Sequence, residues 1–141
     1  MIKTNTTSYE TSFTVYPTDA NYATPLIFGG AFFSQMDKAA ATLARKVLYD
    51  SPSCDAAVTY KFSGTFHKPC YVGDLIYVEA KLTNTGHKSL VIDVTANRED
   101  NKGSREMVAE ANFVFVSIRD TKETINKPAL LPYDNHHLSM P

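Results

Sequence analysis

The sequence predicts an α+β domain in which one long helix lies against an antiparallel sheet of about five strands. Three observations carry this. A helical apolar period occurs once, from Phe28 to about Tyr49. Four strand-like runs follow it, most of them alternating in apolar and polar residues. The connections Val72-Gly73-Asp74, Asn84-Thr85-Gly86 and Asp100 to Gly103 are short and turn-rich, which suits hairpins and leaves no room for crossover helices.

Taken in order, Thr11 to Tyr16 alternates Phe13 and Val15 with Ser12 and Thr14, and Pro17 ends this short strand. Residues 18–25 have no period and read as a loop. Phe28-Gly29-Gly30 opens the helix, and Asp50, Ser51 and Pro52 stop it. Ala56 to Phe66 is rich in strand formers and stops short of Pro69. Leu75 to Leu82 sets Ile76, Val78, Ala80 and Leu82 on one face, with Glu79 and Lys81 on the other. Ser89 to Ala96 turns Leu90, Ile92, Val94 and Ala96 inward. Met107 to Ile118 carries Phe113 and Phe115 on one face and Val114, Val116 and Ile118 on the other. From Asp120 the chain has no apolar period, which predicts a strap to about residue 132 and a loose tail over 133–141.

Composition narrows the function. The chain has 141 residues, one domain's worth, and a net charge of −1, without the basic excess expected of a protein bound to nucleic acid or anionic membrane. Its two cysteines, Cys54 and Cys70, make neither a disulfide framework nor a CxxC metal pair. The polar start has no apolar leader, and charges interrupt the stretch from Leu26 to Leu48, so a cytoplasmic protein without a membrane span is expected.

The helix holds the informative residue. At 100° per residue from Phe33, the apolar side chains fill an arc of about 200°, with Lys38, Thr42, Arg45 and Lys46 opposite. Asp37 falls at about 40°, between Ala44 and Leu48, inside the apolar arc. A carboxylate there loses hydration. Either it is held by a partner or a cap, or it is a general base set against water. Gly29 and Gly30 admit a close ligand or a close strand, and the free N–H groups of a first helical turn can hold a developing oxyanion. Gly30 and Asp37 are two turns apart, about 10 Å, too far for one reacting centre. A symmetric dimer, in which one chain's Asp37 serves the other's glycines, resolves the distance.

Pro17-Thr18-Asp19-Ala20-Asn21-Tyr22-Ala23, Ile27-Phe28-Gly29-Gly30 and Ser34-Gln35-Met36-Asp37 resemble the hot-dog-fold acyl-CoA thioesterases, in particular the bacterial broad-specificity and animal cytosolic acyl-CoA hydrolases. Val58-Thr59, Thr65-Phe66-His67-Lys68-Pro69, Val72-Gly73-Asp74, Gly86-His87-Lys88-Ser89, Ala109-Glu110-Ala111 and Lys127-Pro128 follow in the same order. The resemblance spans about residues 10 to 132. It implies a helix wrapped by a curved sheet, protomers paired edge to edge into at least a homodimer, with a tetramer or hexamer within reach, and no cofactor. It also implies a site at the dimer interface that takes acyl-CoA, with Asn21 and Asp37 supplied by different subunits.

On that basis Gly29 and Gly30 would polarise the thioester carbonyl, Asp37 would act as base or nucleophile, and Asn21 would orient water or carbonyl, unless Asn21 merely closes an Asx-turn. Phe28, Lys68, His87, Lys88 and Ser89 would meet the substrate, the cations serving the CoA phosphates. Two alternatives remain: a non-catalytic acyl-CoA-binding protein, and an acyl dehydratase using His67 with the helix carboxylate.

Overall fold

A computed structural model describes residues 6–49 and 56–118. Cys54, the strap and the tail foreseen from Asp120 lie outside them. Among the described residues five strands form one antiparallel sheet in the order β1-β3-β4-β5-β2, and a single long helix packs on one face. The strands are β1 (Ser8–Thr14), β2 (Ala56–Phe66), β3 (Leu75–Thr85), β4 (Ser89–Glu99) and β5 (Arg105–Ile118); the helix is α1 (Gly29–Val47). β1 begins earlier than the alternation of Phe13 and Val15 suggests, because its polar residues pair with β3 from Ser8↔Lys81 to Thr14↔Leu75. A short 3-10 turn, Pro17–Asp19, follows it, from the expected strand end into the expected loop.

The face turned to the helix is the predicted one. Ile76, Val78, Ala80, Leu90, Ile92, Val94, Phe113 and Phe115 are buried against Phe32, Met36, Leu43, Ala44 and Val47. The covered arc of the helix is narrower than the wheel implies. Ala41 is exposed and Asp37 is half-buried, so both lie at the rim of the buried face rather than within it. No described helix is long and apolar enough to cross a membrane.

β2 forms one edge of the sheet. Its pairing with β5 slips between Thr59 and Lys61, so Tyr60 is an extra, bulged residue. Thr59 opposes Phe115 and Phe62 opposes Phe113. Residues three apart on a regular strand face opposite ways. The bulge turns both Thr59 and Phe62 toward the helix.

Candidate active site

The loop before α1 is tied down at several points. The Phe28 N–H donates to the Asp19 carbonyl at 3.0 Å, Ile27 N–H to the Cys70 carbonyl at 2.9 Å, and Val72 N–H to the Pro25 carbonyl at 2.9 Å. Phe28 is the N-cap residue, and its side chain makes no capping bond. The first intrahelical donors are Ala31 and Phe32, both onto the Phe28 carbonyl. The Gly29 and Gly30 N–H groups therefore meet no acceptor among the described residues. A Cβ on Gly29 would stand 3.3 Å from the Phe66 ring, and one on Gly30 3.1 Å from the Phe28 ring. The glycines permit close packing of the Phe66 and Phe28 rings, and the position of their amides in the first helical turn leaves them without a described acceptor.

Those amides open onto an apolar slot of about 280 Å³ between α1 and β2, lined by Gly29, Gly30, Phe33, Phe62, Gly64 and Phe66. The Phe33 and Phe62 ring centroids are 4.5 Å apart at one end, and Phe66 packs on Phe32 at 5.3 Å at the other. Gly64 leaves the gap between these walls. A Cβ there would lie 2.7 Å from the Glu110 carbonyl oxygen and 2.9 Å from the Ala111 Cβ.

Asp37 lies beyond the Phe62 wall. Its Oδ1 accepts a hydrogen bond of 2.8 Å from the Thr59 hydroxyl. That partner is absent from the expected set of site residues. It stands 22 positions away, turned inward by a bulge the sequence does not announce. Along the helix Asp37 is about 12 Å from Gly29, and no described contact joins it to the glycines or to Asn21.

Asn21 is exposed and its Oδ1 accepts from the Ala23 N–H at 3.1 Å, an Asx-turn that leaves the side-chain NH₂ free of described partners. Lys68 is held by Glu106, which Arg98 also contacts. His87 and Lys88 form the exposed turn between β3 and β4 and have no ion-pair partner among the described residues. Ser89 starts β4 opposite Val116. Lys68 N–H bonds to Val108, whereas Ser117 N–H bonds to Lys88. The nine residue steps from Val108 to Ser117 along β5 put Lys68 and the His87-Lys88 turn about 30 Å apart within one chain. The turn lies instead at the Thr59 end, because Val116 pairs with both Ser89 and Val58.

His67 Nε2 lies 2.8 Å from Glu110 at the end of β2 rather than beside Asp37, so the His–carboxylate pair of a dehydratase is not formed within the chain. Burial pushes the Cys70 thiol up to about 11, outside the range of a ready nucleophile. The described residues contain no cluster of three or more metal-ligating side chains.

A long helix packed against a single five-stranded antiparallel sheet is the hot-dog arrangement, and comparison with known proteins gives the family. The sequence profile of the thioesterase superfamily matches residues 25–104. The chain belongs to that superfamily and is a thioester hydrolase. It is 31% identical over 123 residues to the acyl-CoA thioester hydrolase YciA of Escherichia coli K12, covering 84% of this chain and 86% of the relative. An uncharacterised acyl-CoA thioester hydrolase of Buchnera aphidicola is 36% identical over 100 residues, 67% of this chain and 70% of the relative. Among solved structures, a hexameric thioesterase of Yersinia pestis superposes with a TM-score of 0.74 at 31% identity, over 88% of this chain and 94% of that one. An acyl-CoA hydrolase of Staphylococcus aureus in complex with butyryl coenzyme A and coenzyme A gives a TM-score of 0.66 at 26% identity, over 80% of this chain and 64% of that one.

Proposed function

We propose that this protein hydrolyses acyl-CoA to free CoA and a carboxylic acid, at a site built from two chains of a homodimer. One observation carries the reading. The same helix presents amides at Gly29 and Gly30, without a partner among the described residues, over an apolar slot, and two turns further on a carboxylate, Asp37, fixed by Thr59. The acyl group enters the slot, and the thioester carbonyl oxygen accepts from the Gly29 and Gly30 N–H groups. Asp37 of the second chain takes a proton from water as the water oxygen bonds to the carbonyl carbon. Collapse of the tetrahedral species breaks the C–S bond, and the departing thiolate regains a proton.

Thr59 acts through Asp37, holding one carboxylate oxygen so that the other faces the water. Asn21, whose NH₂ has no partner among the described residues, donates to the carbonyl or to the water. Phe28 packs at the slot mouth. The CoA phosphates rest on His87, Lys88 and Ser89 rather than on Lys68, whose charge Glu106 already offsets; that turn lies at the Asp37 end of the chain that supplies Asp37. Relatives named acyl-CoA thioester hydrolases support the substrate class, and the hexameric neighbour supports assembly beyond a dimer. The test is thiol release from a panel of acyl-CoAs of rising chain length. Release from at least one member supports the reading, and none from short, medium, long or aryl thioesters refutes it.

A further inference from the structure

We propose that Arg98 is a positioning residue for the amide half of the site: through the turn 69–74 it sets where the Gly29 and Gly30 N–H groups stand. The catalytic consequence rests on the hydrolase reading above, whereas the placement of the amides does not.

The inward row of β4 runs Leu90, Ile92, Val94 and Ala96, all buried, and its next member is an arginine. Arg98 pairs with buried Ile76 of β3, so its side chain leaves the strand on the helix side of the sheet, and only 25% of it is exposed. A guanidinium placed there needs acceptors for its fork of donors. Its Nη1 donates to the Pro69 carbonyl at 2.8 Å and lies 3.7 Å from Asp74 Oδ2, while Nη2 donates to Glu106 Oε2 on β5 at 3.3 Å. Pro69 and Asp74 are the two ends of one turn. Inside it, Tyr71 N–H donates to Asp74 Oδ2 at 2.8 Å and Asp74 N–H to the Tyr71 carbonyl at 2.9 Å. Arg98 thus closes the turn across its ends and ties it to two strands of the sheet.

The middle of this turn carries the segment that leads into α1. Ile27 N–H donates to the Cys70 carbonyl, Val72 N–H donates to the Pro25 carbonyl, and Leu26 bridges Tyr71 between them. The opposite edge of the same segment holds the Asn21 loop, through Asn21 N–H on the Leu26 carbonyl at 2.6 Å and Phe28 N–H on the Asp19 carbonyl. From the guanidinium to the Gly29 amide the route is Pro69, Cys70, one hydrogen bond, Ile27 and Phe28, all of it backbone. The helix start has no side-chain cap of its own, and its first two residues are glycines, the most permissive of residues. Its placement therefore comes from the segment beneath it, and that segment rests on the turn Arg98 closes.

The test is Arg98→Lys in the full chain, read against Arg105→Lys. Lysine keeps the positive charge between Asp74 and Glu106 but has no planar fork to reach Pro69 and Glu106 together. Arg105 also has several partners, Glu10, Glu99 and the Tyr77 ring, on the face of the sheet away from the helix. Isotope-labelled glycine gives one amide resonance for each of the six glycines. Arg98→Lys is expected to move the Gly29 and Gly30 resonances and leave Gly86, at the far end of the sheet, in place. Its kcat should fall roughly 10- to 100-fold with KM for acyl-CoA within about twofold, since a misplacement of about 1 Å can cost that much in rate alone. Arg105→Lys should change neither. Unmoved Gly29 and Gly30 resonances overturn the proposal, as does, in an active enzyme, a kcat per folded molecule equal to that of Arg105→Lys. A spectrum altered throughout, Gly86 included, makes Arg98 a residue of stability alone and overturns it too. If Arg98→Lys does not fold, Asp74→Asn, which keeps an acceptor for Tyr71 N–H and loses the charge beside Arg98, is read by the same criteria. Gly29 and Gly30 resonances that move in a protein whose unsubstituted form releases no thiol support the positioning and count against the hydrolase reading alone.

Discussion

Replacing Thr59 by valine isolates the one contact among the described residues that fixes Asp37. The hydroxyl donates to Asp37 Oδ1 at 2.8 Å in a part-buried setting. Valine keeps the branched shape that suits a strand, so the pairing of β2 with β5 should persist. The variant loses one hydrogen bond to a charged group, a net contribution of about 1.5–3 kcal/mol. Where that energy goes distinguishes two roles. If the bond only ties helix to strand, its loss appears in stability, and the thermal midpoint falls by roughly 5–15 °C for a domain of this size. If it holds the carboxylate toward water, the loss appears at the transition state, and kcat falls about 10- to 150-fold. KM should stay near its original value, because Thr59 acts through Asp37 rather than on the CoA tail. The assay is thiol release under saturating and limiting acyl-CoA, with the thermal midpoint measured on the same preparation. A lower midpoint with unchanged kcat per folded molecule would refute the positioning role.

Other outcomes follow from single features. Gly64→Ala places a methyl 2.7 Å from the Glu110 carbonyl oxygen, an overpacking that costs about 1–3 kcal/mol, and chemical denaturation should register it. Lys88→Glu should raise KM for acyl-CoA roughly threefold or more at low ionic strength, with the effect shrinking in high salt and kcat unmoved. Burial holds the Cys70 thiol at about 11 against an ordinary 9.0, favouring the neutral form in the folded chain. Any stability this gives is present below about pH 9 and is lost as pH rises toward 11. In a Cys54→Ser background, alkylating reagents at pH 8 should leave turnover intact, and rapid inactivation would contradict the buried-thiol assignment.

How far the sequence could be read depends on whether a feature is local. The span of β2 and the inward rows of β3, β4 and β5 follow from alternation and breakers, and these were visible. The bulge at Tyr60 was not, because a bulge exists only relative to the strand it pairs with. Without it Thr59 faces away from the helix, so the strand pattern gives no sign of the contact with Asp37, and Val58-Thr59 stands only as one piece of the family resemblance with no role attached. The helical wheel marked Asp37 as anomalous but set it too deep, since the period does not show where the sheet stops covering the helix. Lys68 reads with His87 and Lys88 as a cation for the CoA phosphates because its partner, Glu106, lies 38 residues away in sequence, on the neighbouring strand β5. Gly64 carried a weak signal, a lone glycine within a strand pattern, which often marks close backbone approach.

The central claim is that each site joins the amides of one chain to Asp37 of another. It is tested most directly by mixing two inactive chains. Asp37→Asn removes the base and should lower turnover by roughly 10²–10⁴-fold. Gly30→Val crowds the exposed amides and should block the carbonyl. In a mixed dimer, one site draws intact amides from the Asp37→Asn chain and an intact Asp37 from the Gly30→Val chain. The other site carries both lesions. Verified heterodimers should therefore recover up to about half the activity of the unsubstituted dimer. If amides and carboxylate acted within one chain, every site would keep one lesion, and heterodimers as inactive as their parents would contradict the account.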